Sequence, residues 1–95
     1  MPAYLIVQST TTNQAQMQQY RETVIPQIAQ HGGKFIVRGS KIESLEGSHD
    51  GRGLVIIEFP SMNALRAFWD APDYVPVKRL REGAAEFQVW AGNGV

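Results

Sequence analysis

The stretch Gly53-Leu54-Val55-Ile56-Ile57-Glu58-Phe59-Pro60-Ser61 decides how the rest of the chain folds. Its β-branched and aromatic residues, bounded by glycine and proline, read as a central strand. Pro60 stops that strand because it has no N–H to give to a ladder. Ser61 then suits the N-cap of a helix running to Trp69, whose Leu65, Phe68 and Trp69 point inward.

Upstream, Lys34-Phe35-Ile36-Val37-Arg38 reads as a strand, Gly39-Ser40 as a bulge, and Lys41 to Glu46 as an extended continuation. The turn-rich Gly47-Ser48-His49-Asp50-Gly51 closes a hairpin into Gly53–Phe59. Ala3 to Gln8 forms the first strand. A helix follows, with Asn13 as N-cap, Gln16 in the capping-box position, and Met17, Tyr20, Val24 and Ile28 in one apolar stripe beside Ile25. Pro26 should kink it near Glu22, at a cost of about 3 kcal/mol in a helix interior. His31-Gly32-Gly33 ends it: Gly32 suits the left-handed cap, and His31 suits the negative end of the dipole. Downstream, Asp70 to Asp73 breaks the second helix, and a short helix from about Tyr74 to Ala84 carries Val77, Leu80 and Ala84 on one side. Glu86 to Ala91 is the last strand, and Gly92 to Val95 reads as a frayed tail. The order β-α-β-β-α-β is the split βαβ of ferredoxin-like α+β folds, an antiparallel sheet with helices on one face, in a single domain over residues 1–95.

Alternation sorts the strand residues onto two faces. One face collects Leu5, Val7, Phe35, Val37, Val55, Ile57, Phe59, Phe87 and Val89, all apolar, and packs on the helices. The other collects Tyr4, Ile6, Gln8, Ile36, Arg38, Leu54, Ile56, Glu58, Gln88 and Trp90. Polar residues dominate a sheet face left to water; here six of ten are large and apolar or aromatic. Such a patch marks an interface, and two sheets packed face to face make an isologous homodimer. A chain of 95 residues buries only about 60–65% of its extended surface, which favours a partner as well. Arg38 and Glu58 stand nearly symmetrically about the hairpin loop, as a cross-strand ion pair or as charges flanking a pocket.

The composition excludes several function classes. Without cysteine there is no disulfide, thiolate metal site or cysteine nucleophile. Nine basic residues balance nine acidic ones, so nucleic acid and anionic membrane are not expected partners. The longest strand-like apolar run, Leu54 to Ile57, is far below a membrane span. Met1-Pro2-Ala3 enters a strand directly, so no leader is expected and the location is taken as cytoplasmic. No glycine-rich nucleotide loop or serine-hydrolase elbow occurs, and no cofactor is expected. The two histidines lack ligand spacing, so no metal is expected either.

An ordered series of elements resembles the domain-of-unknown-function family numbered thirteen-thirty. It comprises Arg38-Gly39, Leu45-Glu46-Gly47, Ile57-Glu58-Phe59-Pro60-Ser61, Trp69, Pro72-Asp73-Tyr74 and Leu80-Arg81. The likeness spans roughly Tyr4 to Trp90; His49 stands where that family carries an aromatic residue. The resemblance implies the dimeric α/β-barrel variant of the ferredoxin-like fold and implies no reaction. Small monooxygenases and lactone isomerases share that fold, by analogy of architecture alone.

Candidate chemistry is sparse. His49 beside Asp50, or Glu58, is the base to test first, against solvated-loop and ion-pair roles. Tyr20, Arg38, Trp69 and Tyr74 are the candidate ligand-binding residues; the three aromatics line a cleft between helices and sheet or serve as core. Lys78, Arg79 and Arg81 form a basic cluster, read as a solvated helix face rather than an anion clamp. The chain is thus expected to bind a small organic compound as a homodimer. It would act as a cofactor-independent oxygenase or isomerase, or alternatively as a non-catalytic ligand-sensing or assembly module.

Overall fold

The computed structural model describes residues 1–40, 42–49 and 51–95. Its elements run β1 (Ala3–Thr11), α1 (Gln14–Gln30), β2 (Lys34–Ser40), β3 (Gly53–Phe59), α2 (Met62–Trp69), α3 (Tyr74–Arg79) and β4 (Ala85–Asn93). The four strands form one sheet in the order β2-β3-β1-β4, every neighbouring pair antiparallel. This is the expected ferredoxin-like α+β arrangement.

Local chemistry explains the helix boundaries. Asn13 Oδ1 accepts from the Gln16 amide at 3.0 Å, and Ser61 Oγ accepts from the Ala64 amide at 3.1 Å. Each therefore satisfies one of the first-turn donors that a helix leaves orphaned. Helix α1 continues through Pro26, which lies on its exposed side. Its end is held by His31, whose ring Nδ1 donates to the Gln27 carbonyl at 2.9 Å, and by Gly32 at a φ of 80°. Gly33 has a packing reason as well: a Cβ there would stand 2.5 Å from the Ile28 side chain and 2.8 Å from Phe59.

The helices cover one face, where Leu5, Ile57 and Phe59 of the sheet meet Val24 and Ile28 of α1, Leu65 and Phe68 of α2, and Tyr74 and Val77 of α3. Phe68 is the hub, 5.7 Å from the Phe59 ring and 4.6 Å from the Tyr74 ring. The Cα atoms extend only 15 Å along the shortest axis. That is the thickness of one sheet and one helix layer, so among the described residues no helix covers the second face.

Four expectations are corrected. First, β2 carries a bulge at Ile36, because Phe35 pairs with Ile57 while Val37 pairs with Ile56. The extra residue breaks the alternation, so Val37 belongs to the open face and Arg38, opposite Val55, to the helix face. The bulge expected at Gly39 is present as a second irregularity between Arg38 and Ser40. Second, Glu58 is not opposite Arg38, because the register sets it against Lys34 before the bulge; it pairs with Lys34 at 3.3 Å and accepts from the Tyr4 hydroxyl at 3.1 Å. Third, Ile42–Glu46 form no strand, Lys41 lying outside the described residues, and the third helix stops at Arg79 rather than near Ala84. Fourth, the tail is not frayed: β4 reaches Asn93 opposite Ala3, and the Gly94 amide donates to the Pro2 carbonyl at 2.7 Å.

Replacing Phe68 with Ala should lower stability by about 3–5 kcal/mol through the cavity it leaves. Ser61→Ala should cost about 1 kcal/mol, and Lys34→Met less than about 1 kcal/mol, since the Lys34 end of its pair is exposed. Urea unfolding at one fixed protein concentration checks all three.

Candidate functional site

The helix layer does not close fully on the sheet. A cleft of about 910 Å³ lies between them. Its sheet side is apolar where Leu5, Val7, Val55, Ile57, Phe87 and Val89 supply it and polar at the Ser9–Thr11 end of β1; α1 contributes Met17, Tyr20, Val24 and Ile28. The α2–α3 corner adds Phe68, Trp69 and Tyr74, and exposed Gln14, Gln18 and Arg21 stand at the rim. These positions follow from elements already capped and terminated: the i, i+3, i+4 stripe of α1 and alternate residues of β1, β3 and β4 point into one space.

All four expected ligand-binding residues meet here: Tyr20, Arg38, Trp69 and Tyr74 line the cleft. Arg38 arrives only because the Ile36 bulge turns it to this face, where its guanidinium sits 4.5 Å from the Phe35 ring centre. The Tyr20 and Tyr74 hydroxyls are 2.8 Å apart in a buried hydrogen bond, and Trp69 packs 5.6 Å from the Tyr74 ring. Burial pushes the Tyr20 phenol well above its usual pKa, and the Tyr74 hydroxyl beside it adds to the rise; Arg81 opposes it. Tyr20 is thus a neutral hydrogen-bonding group and not a base.

The two candidate bases lie elsewhere. Glu58 is on the open face of the sheet with Tyr4 and Lys34. His49 reaches the same face, its Nε2 3.3 Å from the side-chain nitrogen of Gln8 as placed. The Gly51 amide donates to His49 Nδ1 at 3.1 Å, so a neutral ring carries its proton on Nε2. The Gln8 carboxamide must then present its oxygen, the flipped amide orientation. Asp50, the expected orienting carboxylate, lies outside the described residues. Neither His49 nor Glu58 is part of the cleft lining.

Arg81 is the residue that sequence reasoning misplaced. Lys78 and Arg79 are exposed as a solvated face should be, but Arg81 is only 9% accessible. Its guanidinium lies 4.1 Å from the Phe87 ring centre and 5.5 Å from that of Tyr20, on the cleft wall. The helix ends at Arg79, and the following turn brings residue 81 inward. Gln16 holds that turn: its Nε2 donates to the Leu80 carbonyl at 2.8 Å and to the Glu82 carbonyl at 2.7 Å. Gly83, two residues on, was the available signal that the helical spacing would fail.

Among the described residues no group of three or more His, Cys, Asp or Glu is placed to hold a metal, and no helix is long and apolar enough to cross a membrane. The family described as Domain of unknown function (DUF1330) matches residues 2–95. No curated protein sequence matches the chain. Among solved structures, a protein of unknown function from Rhodopseudomonas palustris, RPA0582, is similar at 18% identity and a TM-score of 0.75, over 99% of this chain and 82% of that one. SnoaB from Streptomyces nogalater, described as a cofactor-independent oxygenase, is similar at 14% identity and a TM-score of 0.70, over 99% and 93%. A dimeric ferredoxin-like protein of unknown function from Jannaschia sp. CCS1 is similar at 14% identity and a TM-score of 0.68, over 99% and 100%. At these identities the likeness establishes the fold.

The state of Tyr20 has a measurable consequence. Above about pH 10 an unfolded tyrosine loses its proton, while Tyr20 in the fold keeps its own. The unfolded chain then binds fewer protons, so stability falls as pH rises beyond 10. Tyr20→Phe should remove that contribution, giving a shallower fall in urea midpoint between pH 10 and about 11.5 than the wild-type protein shows.

Proposed function

The chain belongs to the DUF1330 family, and from that premise we propose that it is a cytoplasmic homodimer binding a small organic molecule in the cleft of each subunit. The observation that carries the ligand reading is the cleft itself. Its volume of about 910 Å³ falls within the roughly 300–1,000 Å³ usual for ligand sites. An apolar floor with a paired tyrosine hydroxyl at its wall suits a compound with a flat or hydrocarbon body and a polar tip.

The homodimer rests on the open face. Ile6, Leu54, Ile56 and Val37 are half-buried there, and Trp90 remains 47% accessible. A second copy covers this face with the same surface, which satisfies isologous symmetry. The similar Jannaschia protein is described as dimeric, in keeping with this assembly.

In its enzymatic form the protein is a cofactor-independent oxygenase, as SnoaB is described, or an isomerase. The cleft then holds and desolvates an activated substrate. A non-catalytic ligand-sensing module is the second reading, favoured by one observation: His49 and Glu58 sit on the sheet face opposite the cleft. In the dimer those two groups serve the interface.

Sedimentation equilibrium at micromolar concentration should give twice the 10.6 kDa of one chain, and Ile56→Asp should reduce the mass to that of the monomer. A wild-type monomer would overturn the assembly. Native mass spectrometry of protein purified from its source should find a small molecule retained by wild type and depleted in Trp69→Ala. Retention unchanged by that substitution would place the ligand outside the cleft.

A further inference from the structure

We infer that the ligand of the cleft is an apolar organic acid whose carboxylate is taken by Arg81. This rests on the reading of the cleft as a binding site and goes further, to the chemical class of what it binds.

A guanidinium keeps its charge at any physiological pH, so burying one is costly unless an anion or full hydrogen bonding compensates. Arg81 is 9% accessible. Among the described residues no carboxylate lies within ion-pair distance of it; its close neighbours are the Phe87 ring and Tyr20, whose hydroxyl it also meets as a hydrogen-bond donor. Ring faces and one neutral phenol oxygen attract a cation, but they supply no counter-charge for it. A carboxylate supplies one, with two oxygens on two parallel N–H groups. The backbone is arranged to keep Arg81 at this wall, because the Gln16 carboxamide ties down the carbonyls on both sides of it, at residues 80 and 82.

Two other features of the cleft agree. Tyr20 and Tyr74 share one hydrogen bond between two hydroxyls. One O–H is therefore left over to donate to a ligand oxygen, and Tyr20 cannot compete with the ligand as an anion. Among the described residues the lining includes Arg21, Arg38 and Arg81, with Glu22 as its one carboxylate. A hollow with that excess of positive charge and an apolar floor draws in an organic anion rather than a neutral or cationic compound.

The test is calorimetric titration of the wild-type protein with 1-naphthoate and with its neutral counterpart 1-naphthamide, at pH 7.5. Naphthoate should bind about tenfold or more tightly than the amide, the discrimination expected for a charged hydrogen-bonded pair. Arg81→Met should erase the preference, Arg81→Lys should keep part of it, and Arg79→Met, altering an exposed neighbour, should leave it whole. Should Arg81→Met fail to fold, the wild-type ratio and the lysine variant decide. Equal binding of acid and amide overturns the inference while the cleft stands as a ligand site. A preference that survives Arg81→Met also overturns it. Binding of neither compound overturns both.

Discussion

β1 and β3 pair without a break in register, from Ala3 opposite Phe59 to Ser9 opposite Gly53, and the rest of the structure depends on that alternation. It commits Leu5, Ile57 and Phe59 to the helices and leaves Tyr4, Ile6, Ile56 and Glu58 on the far side. One residue of slip would exchange the two sets and bury Glu58 in the core. The unbroken ladder thereby separates two tasks. The helix face holds the core and the cleft. The far face carries no helix among the described residues, and the loop holding His49 reaches it only beside Gln8.

Where the ladder does break, the break moves one charge across the sheet. The extra residue at Ile36 carries Arg38 to the cleft and Val37 to the open face. Both exchanges suit their destinations: an apolar side chain joins the apolar patch, and a cation joins the rim of a hollow that already holds arginine. A bulge acts locally, so β2 continues to pair with β3 on either side of it. The cleft owes its buried charge, Arg81, to a similarly local event, the end of α3 at Arg79 and the Gln16-held turn that follows.

The aromatic groups show why core and site are not separate alternatives in so small a protein. Phe59, Phe68, Tyr74 and Tyr20 form a continuous chain of contacts from the deepest part of the sheet to the cleft wall. Tyr74 is buried and structural by its packing, yet its hydroxyl and that of Tyr20 lie where a ligand would end. A ligand filling the cleft would touch the same rings that stabilise the fold, so binding and stability are coupled through them.

Sequence alone determined the element order, the caps at Asn13 and Ser61, the apolar helix face and the apolar character of the opposite face. Each of these is a local or strictly periodic property, readable from neighbours two to four residues away. The aromatic members of the cleft were legible for the same reason, since Tyr20 lies on a helix stripe and Trp69 and Tyr74 flank a proline break. Only tertiary structure decided the sides taken by Arg38 and Val37, the partner of Glu58, and the burial of Arg81. A bulge or a helix end is a one-residue event, and its position depends on which packing closes the core, not on any repeating pattern in the chain. Gly53–Phe59 marks the division. Its alternation was plain from its residues, whereas the charges set opposite Val55 and Glu58, Arg38 and Lys34, were settled by the strand that came to lie beside it.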